Sequence, residues 1–445
     1  MTKRLHLPFL VTCGVGCWLV PVHAITLEAA LTRTLEKNPS ILQAKAQLER
    51  ASGRRLVLRS LGFRDARLQI PGGLQGGKRA GEDPVQPFAF ARGSLTQPLF
   101  HAGLPATYRR GDTEVLLAQQ RLNVAVMDQL HLARVSFYTA AYQDSLRALG
   151  ESQRERLEGN VRTQTDRYQA GQTERGAVTV ARLLEEELLP RIEQSRRVSG
   201  AALLKLSETM GEDLGAGGKA LTTEGSLQFA QTQIDFDAIA ASALRDRPDL
   251  KLARLLVRAA SEDQRIIEAE FYPAISGGLS GDYIPFSDVR RGAAGSGRRS
   301  DDIVSSELRA GAAYTWRVID NGRVLGAVRR QRAVKEMNEL VLAKLEAAVP
   351  RELARIQNNL RALAARQKAL DRATVVAEQT VSDVLNNLSE GLSSQLEYRT
   401  AENSFLQTKA GLLAVAFDQN MALAEFDRVT GRYFQFSEDT NAKVH

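Results

Sequence analysis

Two short segments that end in glycine occupy corresponding positions in the chain and divide it into halves with one plan. Residues 100–103 read FHAG and residues 319–322 read IDNG, at an offset of 219 positions. Farther along, Gly171 and Gly391 lie 220 positions apart. A sequence that resembles itself at a nearly constant offset indicates duplication of one structural unit.

The beginning of each half shows the same pairing at a shorter offset. TLEAA at 26–30 leads to an Asn-Pro pair at 38–39, and DFDAI at 235–239 leads to an Arg-Pro pair at 247–248, an offset of 209. The change of offset therefore falls between these first pairings and the second ones. Two segments rich in glycine, proline and charge, as loops are, lie there: 76–87 and 284–302.

Each half is predicted to contain a helix, two strands and a helical hairpin. The first repeat covers 25–231, with strands at about 64–75 and 88–100 and a hairpin at about 104–211. The second repeat covers 232–432, with strands at about 273–284 and 304–318 and a hairpin at about 323–431. A C-terminal tail follows at 433–445. Apolar and polar residues alternate in these strands, except that residues 88–97 alternate poorly. Two interpretations of them stay open, a share of a membrane barrel wall or a small cap on a soluble helical domain, because four strands cannot close a barrel.

The hairpins are predicted from long stretches without turn residues. Leu353, Ile356, Leu360 and Leu363 recur at heptad-like spacing, which is typical of coiled-coil packing. Pro190 and Pro350 interrupt this pattern, and we expect each to kink or locally break its helix. The glycines Gly171 and Gly391 are expected to end the first helix of each hairpin.

The first 24 residues are typical of a secretory signal peptide. Lys3 and Arg4 precede an apolar stretch, and small residues lead to a predicted cleavage after Ala24. The only two cysteines, Cys13 and Cys17, lie in this leader, so the mature chain has no disulfide. The alternative is a lipoprotein in which an acylated Cys17 becomes the N-terminus.

The sequence offers no pattern typical of an enzyme, a cofactor site or a metal site. GGLQGGK at 72–78 has the glycine and lysine spacing of a phosphate-binding loop, but Arg79 stands where a Ser or Thr would hold magnesium. The three histidines after the leader are scattered along the chain. The 59 basic and 52 acidic residues are intermixed, which argues against a nucleic-acid partner.

These features together resemble the TolC-like outer membrane factor (outer membrane efflux protein) family over essentially the whole mature chain. The resemblance is carried by ordered motifs: LEAA at 27–30 with Asn38-Pro39, QPLF at 97–100 ending at Gly103, DNG at 320–322, the turns at Gly171 and Gly391, and the closing residues 420–431. In this pattern, Pro98, Gly103 and Gly322 mark the strand-to-helix junctions.

The resemblance implies a fold that is mainly α with a small β part. Three chains would each give four strands to a twelve-stranded transmembrane barrel, and their long helical hairpins would form a periplasmic tunnel. A homotrimer in outer-membrane lipid is thus implied, with a long periplasmic extension. The tunnel would meet a periplasmic adaptor (membrane fusion protein) bound to an inner-membrane transporter, which is ABC-type, proton-driven or similar.

The resemblance also implies a periplasmic entrance narrowed by acidic residues just past the second turn. The first such position falls on Glu397, whereas the second is Thr400, where this sequence departs from the family. Three copies of Glu397 around a threefold axis would form a negative ring that favours cations. The alternative is a solvated helix carboxylate paired with Arg399 or another neighbour.

The two turns are the implied docking region for the adaptor. The residues concerned are Gly171, Gly391, Leu392, Ala181 and Ala401. For the glycines, a role in the turn itself is the simpler interpretation, because glycine tolerates positive φ.

The predicted function is therefore a passive exit channel of a tripartite efflux pump or a type I secretion system, without catalysis or cofactor. The alternative is a periplasmic coiled-coil adaptor or scaffold. Such a protein would have one hairpin flanked by β-rich modules instead of two copies of one plan.

Overall fold

The computed structural model describes residues 23–76, 85–212, 221–225, 227–230, 234–286 and 307–432. The predicted leader up to residue 22, most of the two predicted loops and the tail at 433–445 lie outside these ranges. Nine α-helices occur in the described part: α1 Leu27–Lys37, α2 Pro39–Ser60, α3 Leu104–Gln169, α4 Arg175–Glu186, α5 Leu189–Met210, α6 Phe236–Asp246, α7 Pro248–Glu268, α8 Arg323–Ser389 and α9 Gln395–Thr430. The strands described are β1 His23–Ile25, β2 Asp65–Gln69, β3 Gly72–Gly76, β4 Val85–Phe100, β5 Leu221–Thr223, β6 Ala274–Phe286 and β7 Glu307–Thr315.

The chain folds into two compact units. Among the described residues, those within Met1–Pro39, Asp128–Ile234 and Ile356–Arg428 form the first unit, and those within Ser40–Met127, Asp235–Arg355 and Val429–His445 form the second. The first unit contains the hairpin turns, and the second contains the four-stranded path of the sheet.

A helical core holds the first unit together near the turns. Apolar residues of α3, α4, α5, α8 and α9, together with Leu188 just before α5, form one buried cluster: Leu157, Leu184, Leu188, Ile192, Ala377, Val381, Leu388, Tyr398, Ala401, Phe405 and Leu406. Burial of such side chains contributes about 1.5–3 kcal/mol each for the large aliphatic and aromatic ones. The two helical hairpins are therefore packed together close to their turns.

The sheet of the second unit is antiparallel, in the order β2-β4-β6-β7. The strand β3 pairs with β4 as well, so β2 and β3 face the same neighbour one after the other. The first strand, predicted as one element, is thus interrupted between Gln69 and Gly72. Pro71 explains the interruption, because proline has no N–H for the ladder, although its carbonyl still accepts a hydrogen bond from Phe90 at 3.1 Å.

Large apolar side chains of this sheet are exposed within the single chain. Leu68 and Leu308 are 72% and 75% exposed, and every residue of β7 is exposed. A stable sheet ordinarily covers one face. In the described residues, we find no helix with both the length and the apolar character needed to cross a bilayer.

The first helix of each half, predicted as continuous, is bent by a proline. Asn38 ends α1 and Arg247 ends α6, with ψ values of 125° and 123°. The residue before a proline is disfavoured in the helical region, so Pro39 and Pro248 impose this corner. Each helix therefore appears as two elements.

Different side-chain chemistry holds the two corners. The buried amide of Asn38 donates to the carbonyl of Thr209 at 2.6 Å. The buried Arg247 donates to Asp249 at 2.8 Å and to Glu352 at 2.7 Å. Burial by itself lowers the pKa of Arg247, but the two carboxylates more than offset this and hold that pKa above its ordinary value.

The two helix prolines behave differently. A break separates α4 from α5, with Pro190 in the first turn of α5, where a missing N–H is tolerated. In contrast, α8 continues through Pro350, so the local break expected there does not occur. Val349 and Leu353 are buried on either side of Pro350. We attribute the continuity to this packing, which offsets the lost hydrogen bond.

Candidate functional site at the hairpin turns

The two hairpin turns share one backbone geometry. Gly171 and Gly391 have φ values of 69° and 79°. The amide after each glycine donates back over five residues, from Gln172 to Arg167 and from Leu392 to Asn387, at 2.8 Å in both cases. This is the Schellman motif, which needs a left-handed residue at the glycine position. A Cβ on either glycine would meet no atom within 4 Å, so only the backbone conformation requires glycine here.

A reciprocal hydrogen-bond pair begins α9 directly after the second turn. The Ser394 amide donates to a Glu397 carboxylate oxygen at 2.8 Å, and the Glu397 amide donates to the Ser394 hydroxyl at 3.2 Å. This arrangement is a capping box. The exposed Glu397 therefore has a local role in starting the helix. In the first turn Glu174 occupies the corresponding position and forms no side-chain cap.

Arg399 contacts the first hairpin and not Glu397. Its guanidinium lies 2.9 Å from a carboxylate oxygen of Glu187, beside the break that precedes α5. The neighbouring Glu185 pairs with Arg154 of α3 at 3.3 Å. The acidic run at 185–187, which by sequence is typical of a solvated face, thus supplies two ion pairs between helices. Both pairs are partly exposed, so each contributes at most about 1 kcal/mol.

A buried polar network lies one turn farther along α9. Glu402 is 4% exposed and accepts a hydrogen bond from the Tyr398 hydroxyl at 2.9 Å and another from the amide of Gln153. Arg156 approaches the same carboxylate to 3.5 Å and lies over the ring of Phe405. Burial, together with the Glu402 carboxylate, raises the pKa of Tyr398 well above its usual range. The network ties α9 to α3 with a satisfied buried charge.

A cleft of about 620 Å³ opens beside this network, between α3, α8 and α9. On the α3 side it is lined by Arg156, Asn160, Gln164 and Arg167. Asn160 donates to Gln395 at 3.3 Å, and Arg167 donates to the carbonyl of Leu388 at 3.0 Å. The contact of α3 with the second hairpin is therefore largely polar here.

The other residues predicted for the docking region differ in exposure. Ala181 and Ala401 are buried, at 0% and 7% exposure, and Ala401 belongs to the buried cluster near the turns. Leu392 is 74% exposed at the second turn. Of the predicted set, Gly171, Gly391 and Leu392 are thus placed on the surface.

The strand-to-helix junctions are held by local contacts in the second unit. At the first, Pro98 lies within β4, and the Gly103 amide donates to His101 Nδ1 at 3.1 Å just before α3. At the second, both oxygens of Asp320 accept backbone hydrogen bonds, from Gly322 at 3.0 Å and Val324 at 2.8 Å. Gly322 has a φ of 82°. These contacts start α3 and α8 at fixed points.

Among the residues that the structure describes, no group of three or more His, Cys, Asp and Glu side chains is placed to hold a metal ion. The side chains gathered near the turns serve helix capping, ion pairing and hydrogen bonding.

A known family matches much of the second half of the chain. A family model described as outer membrane efflux protein matches residues 239–432. The resemblance to the TolC-like outer membrane factor family is confirmed. No curated protein matches the sequence.

Solved outer membrane factors have the same fold as this chain. The outer membrane protein VceC from Vibrio cholerae is 17% identical, with a TM-score of 0.77, covering 91% of this chain and 96% of that one. The Campylobacter jejuni CmeC outer membrane channel is 13% identical, with a TM-score of 0.77 and coverage of 96% and 94%. The Neisseria gonorrhoeae MtrE outer membrane channel, in its open state, is 14% identical, with a TM-score of 0.74 and coverage of 91% and 88%.

The predicted fold class of an outer membrane factor, mainly α with a small β part, is therefore confirmed. The family and these solved structures are outer membrane channels and not enzymes. The alternative of a periplasmic adaptor is not favoured, because the matches are channels and the chain carries two hairpins.

Proposed function

We propose that this chain is the outer-membrane exit channel of a tripartite efflux pump or type I secretion system. The observation that carries the proposal is the duplicated plan of helix, strands and helical hairpin, which matches outer membrane channels over more than nine tenths of the chain. The channel acts as a passive conduit. Energy comes from an inner-membrane transporter, and a periplasmic adaptor couples the two.

Exposed apolar surfaces support assembly of three copies. On α8, Met337, Leu340 and Val341 are 65%, 66% and 51% exposed, and the sheet leaves Leu68 and Leu308 uncovered. Contiguous exposed apolar surface marks interaction sites. In the proposed homotrimer the strands complete a twelve-stranded barrel whose outer face meets lipid.

The channel proposal is tested on the purified full-length protein. We expect heat-modifiable trimers in outer-membrane fractions and discrete conductance steps in planar bilayers. A protein recovered only from the soluble periplasm, without conductance, would contradict the proposal.

Replacing Glu397 by Gln is expected to weaken cation selectivity without destabilising the chain. Gln also serves at this position of a capping box, so the start of α9 is retained while three negative charges leave the proposed entrance. The measurement is the reversal potential of trimers in a salt gradient. Glu397→Ala is the matched control for the cap, with an expected loss of about 1 kcal/mol in stability. Unchanged selectivity in Glu397→Gln would exclude Glu397 from the entrance.

Replacing Leu392 by Glu is expected to abolish export while trimers and single-channel conductance stay normal. Leu392 is exposed at the second turn, so a charge there costs the folded chain little, whereas an apolar contact with the adaptor is lost. Export is measured in cells with the cognate adaptor and transporter. The matched control is Gln172→Glu, at the corresponding position of the first turn. Normal export in Leu392→Glu would remove the second turn from the docking surface.

A further inference from the structure

Three arginines near the start of α8 have no acidic partner among the residues that the structure describes. Arg329, Arg330 and Arg332 are exposed, and their side chains form no ion pair or hydrogen bond with the described residues. Their guanidinium groups therefore concentrate positive charge within four positions of one helix.

In the first repeat, the arginine at the corresponding position forms ion pairs. Arg110 corresponds to Arg329 at the offset of 219, and it pairs with Glu114 at 2.5 Å and with Asp263 at 2.8 Å. The position that corresponds to Glu114 in the second repeat is Ala333. The second repeat thus keeps the cation and lacks the acid that neutralises it.

The unpaired arginines follow an aromatic belt at one end of the sheet. The exposed aromatic residues that define this belt are Phe63, Phe100, Phe271, Tyr272, Tyr314 and Trp316. The strand register places them together, because Asp65 pairs with Thr96, and Ile275 pairs with both Phe100 and Tyr314. Aromatic side chains at the ends of membrane strands lie at the headgroup level.

The spacing along α8 fits a headgroup partner. Arg329 lies six residues after Arg323, which is about 9 Å along the helix axis. Headgroup regions extend about 5–8 Å beyond the hydrocarbon core on each side, and charges act over about 8–10 Å at physiological salt. The arginines are therefore within reach of lipid phosphates if the aromatic belt marks the interface.

We propose that Arg329, Arg330 and Arg332 bind the phosphates of anionic phospholipids in the leaflet next to the strand-to-helix junctions. The guanidinium group suits this partner, because its fork of donors matches phosphate oxygens. The proposal rests on the proposed function, since it requires the strands to lie in the outer membrane.

Trp316 provides the test. The sequence has two tryptophans, Trp18 and Trp316, and Trp18 lies in the predicted leader. In leader-free protein, or in a Trp18→Phe background, all tryptophan fluorescence therefore comes from Trp316. Full-length trimers are reconstituted into phosphatidylcholine vesicles, and brominated phosphatidylglycerol is compared with brominated phosphatidylcholine as the quencher. We expect a preference of about fivefold or more for phosphatidylglycerol at low salt, which falls in about 0.5 M NaCl.

The triple variant Arg329→Gln, Arg330→Gln, Arg332→Gln is expected to lose this preference. The control is Arg361→Gln, Arg366→Gln, Arg372→Gln, which removes three exposed arginines farther along the same helix and should leave the preference intact. Equal quenching by both lipids in the unmodified protein would overturn the proposal, as would a triple variant that keeps the preference.

Two further outcomes separate the rival explanations. Loss of trimers in the triple variant, whatever the lipid, would assign the arginines to a subunit contact and overturn lipid binding. Conductance is recorded in the same vesicles. Conducting trimers without lipid preference would refute this inference alone, whereas trimers that neither insert nor conduct would refute the proposed function.

Discussion

Replacing Gly211 by Ala is expected to destabilise the chain by about 3 kcal/mol. Gly211 ends α5 with a φ of 67°, where an L-residue is strained. A Cβ there would lie 2.4 Å from the carbonyl oxygen of Lys37, the last residue of α1. That oxygen belongs to backbone and cannot swing aside, so the end of α1 must shift. The midpoint of thermal unfolding, followed by circular dichroism on purified protein, measures the loss.

Gly171→Ala is the matched control for this prediction. Gly171 has nearly the same φ, 69°, and the same type of helix end, but a Cβ there meets nothing within 4 Å. Only the backbone strain should remain, about 1 kcal/mol. Equal losses in the two variants would show that the contact with Lys37 does not matter.

Replacing Glu402 by Ala is expected to cost a similar amount, about 3 kcal/mol. The carboxylate is buried, and its removal leaves the Tyr398 hydroxyl and the Gln153 amide without their acceptor, beside a new void. Because Arg156 is partly exposed, water replaces its partner at lower cost. The same unfolding measurement applies.

Glu187→Ala gives the comparison for an exposed ion pair. Glu187 also connects the first hairpin to α9, through Arg399, but its side chain is 44% exposed. We expect a loss below about 1 kcal/mol. If Glu402→Ala were no more damaging than Glu187→Ala, the buried network would not be a main support of this region.

Tyr398→Phe separates the hydroxyl from the rest of the Glu402 network. It removes one hydrogen bond to a charged group and leaves the ring in place, with an expected cost of about 1.5 kcal/mol. A loss as large as that of Glu402→Ala would show that the Tyr398 hydroxyl, and not the Gln153 amide, carries most of the stability of the network.

The repeat and the turns could be predicted because they depend on local chemistry. Gly171 and Gly391 both adopt the left-handed conformation expected at a helix end, and their partners are backbone groups within five residues. The corners at Asn38 and Arg247 have an equally local cause, since proline restricts the residue before it. The prediction of one continuous first helix in each half was wrong because it did not take this restriction into account.

The contacts of the candidate site could not be predicted in the same way. Glu402 pairs with Gln153, which lies 249 positions earlier in the chain, and no pattern in either helix indicates the other. A local signal was present, because Tyr398 and Glu402 are four residues apart on one helical face. The capping box at Ser394 and Glu397 was also visible as a serine three residues before a glutamate.

The ion pair of Arg399 shows that closeness in sequence does not identify the partner of a charged side chain on a helix. By sequence, Arg399 is a natural partner for Glu397, two positions away. On a helix, positions two apart point in different directions. Arg399 instead reaches Glu187, and Glu397 bonds to its own helix start.

The proline corners also have an evolutionary consequence. Because proline sets the bend, the side chain of the preceding residue can differ between the two repeats. It is a neutral amide at Asn38 and a charged guanidinium at Arg247, and the two form different contacts. If each half were a separate copy of one identical chain, a mutation at this position would change the residue at both corners. With both repeats in a single gene, selection can change the residue at one corner while the other corner keeps its contacts.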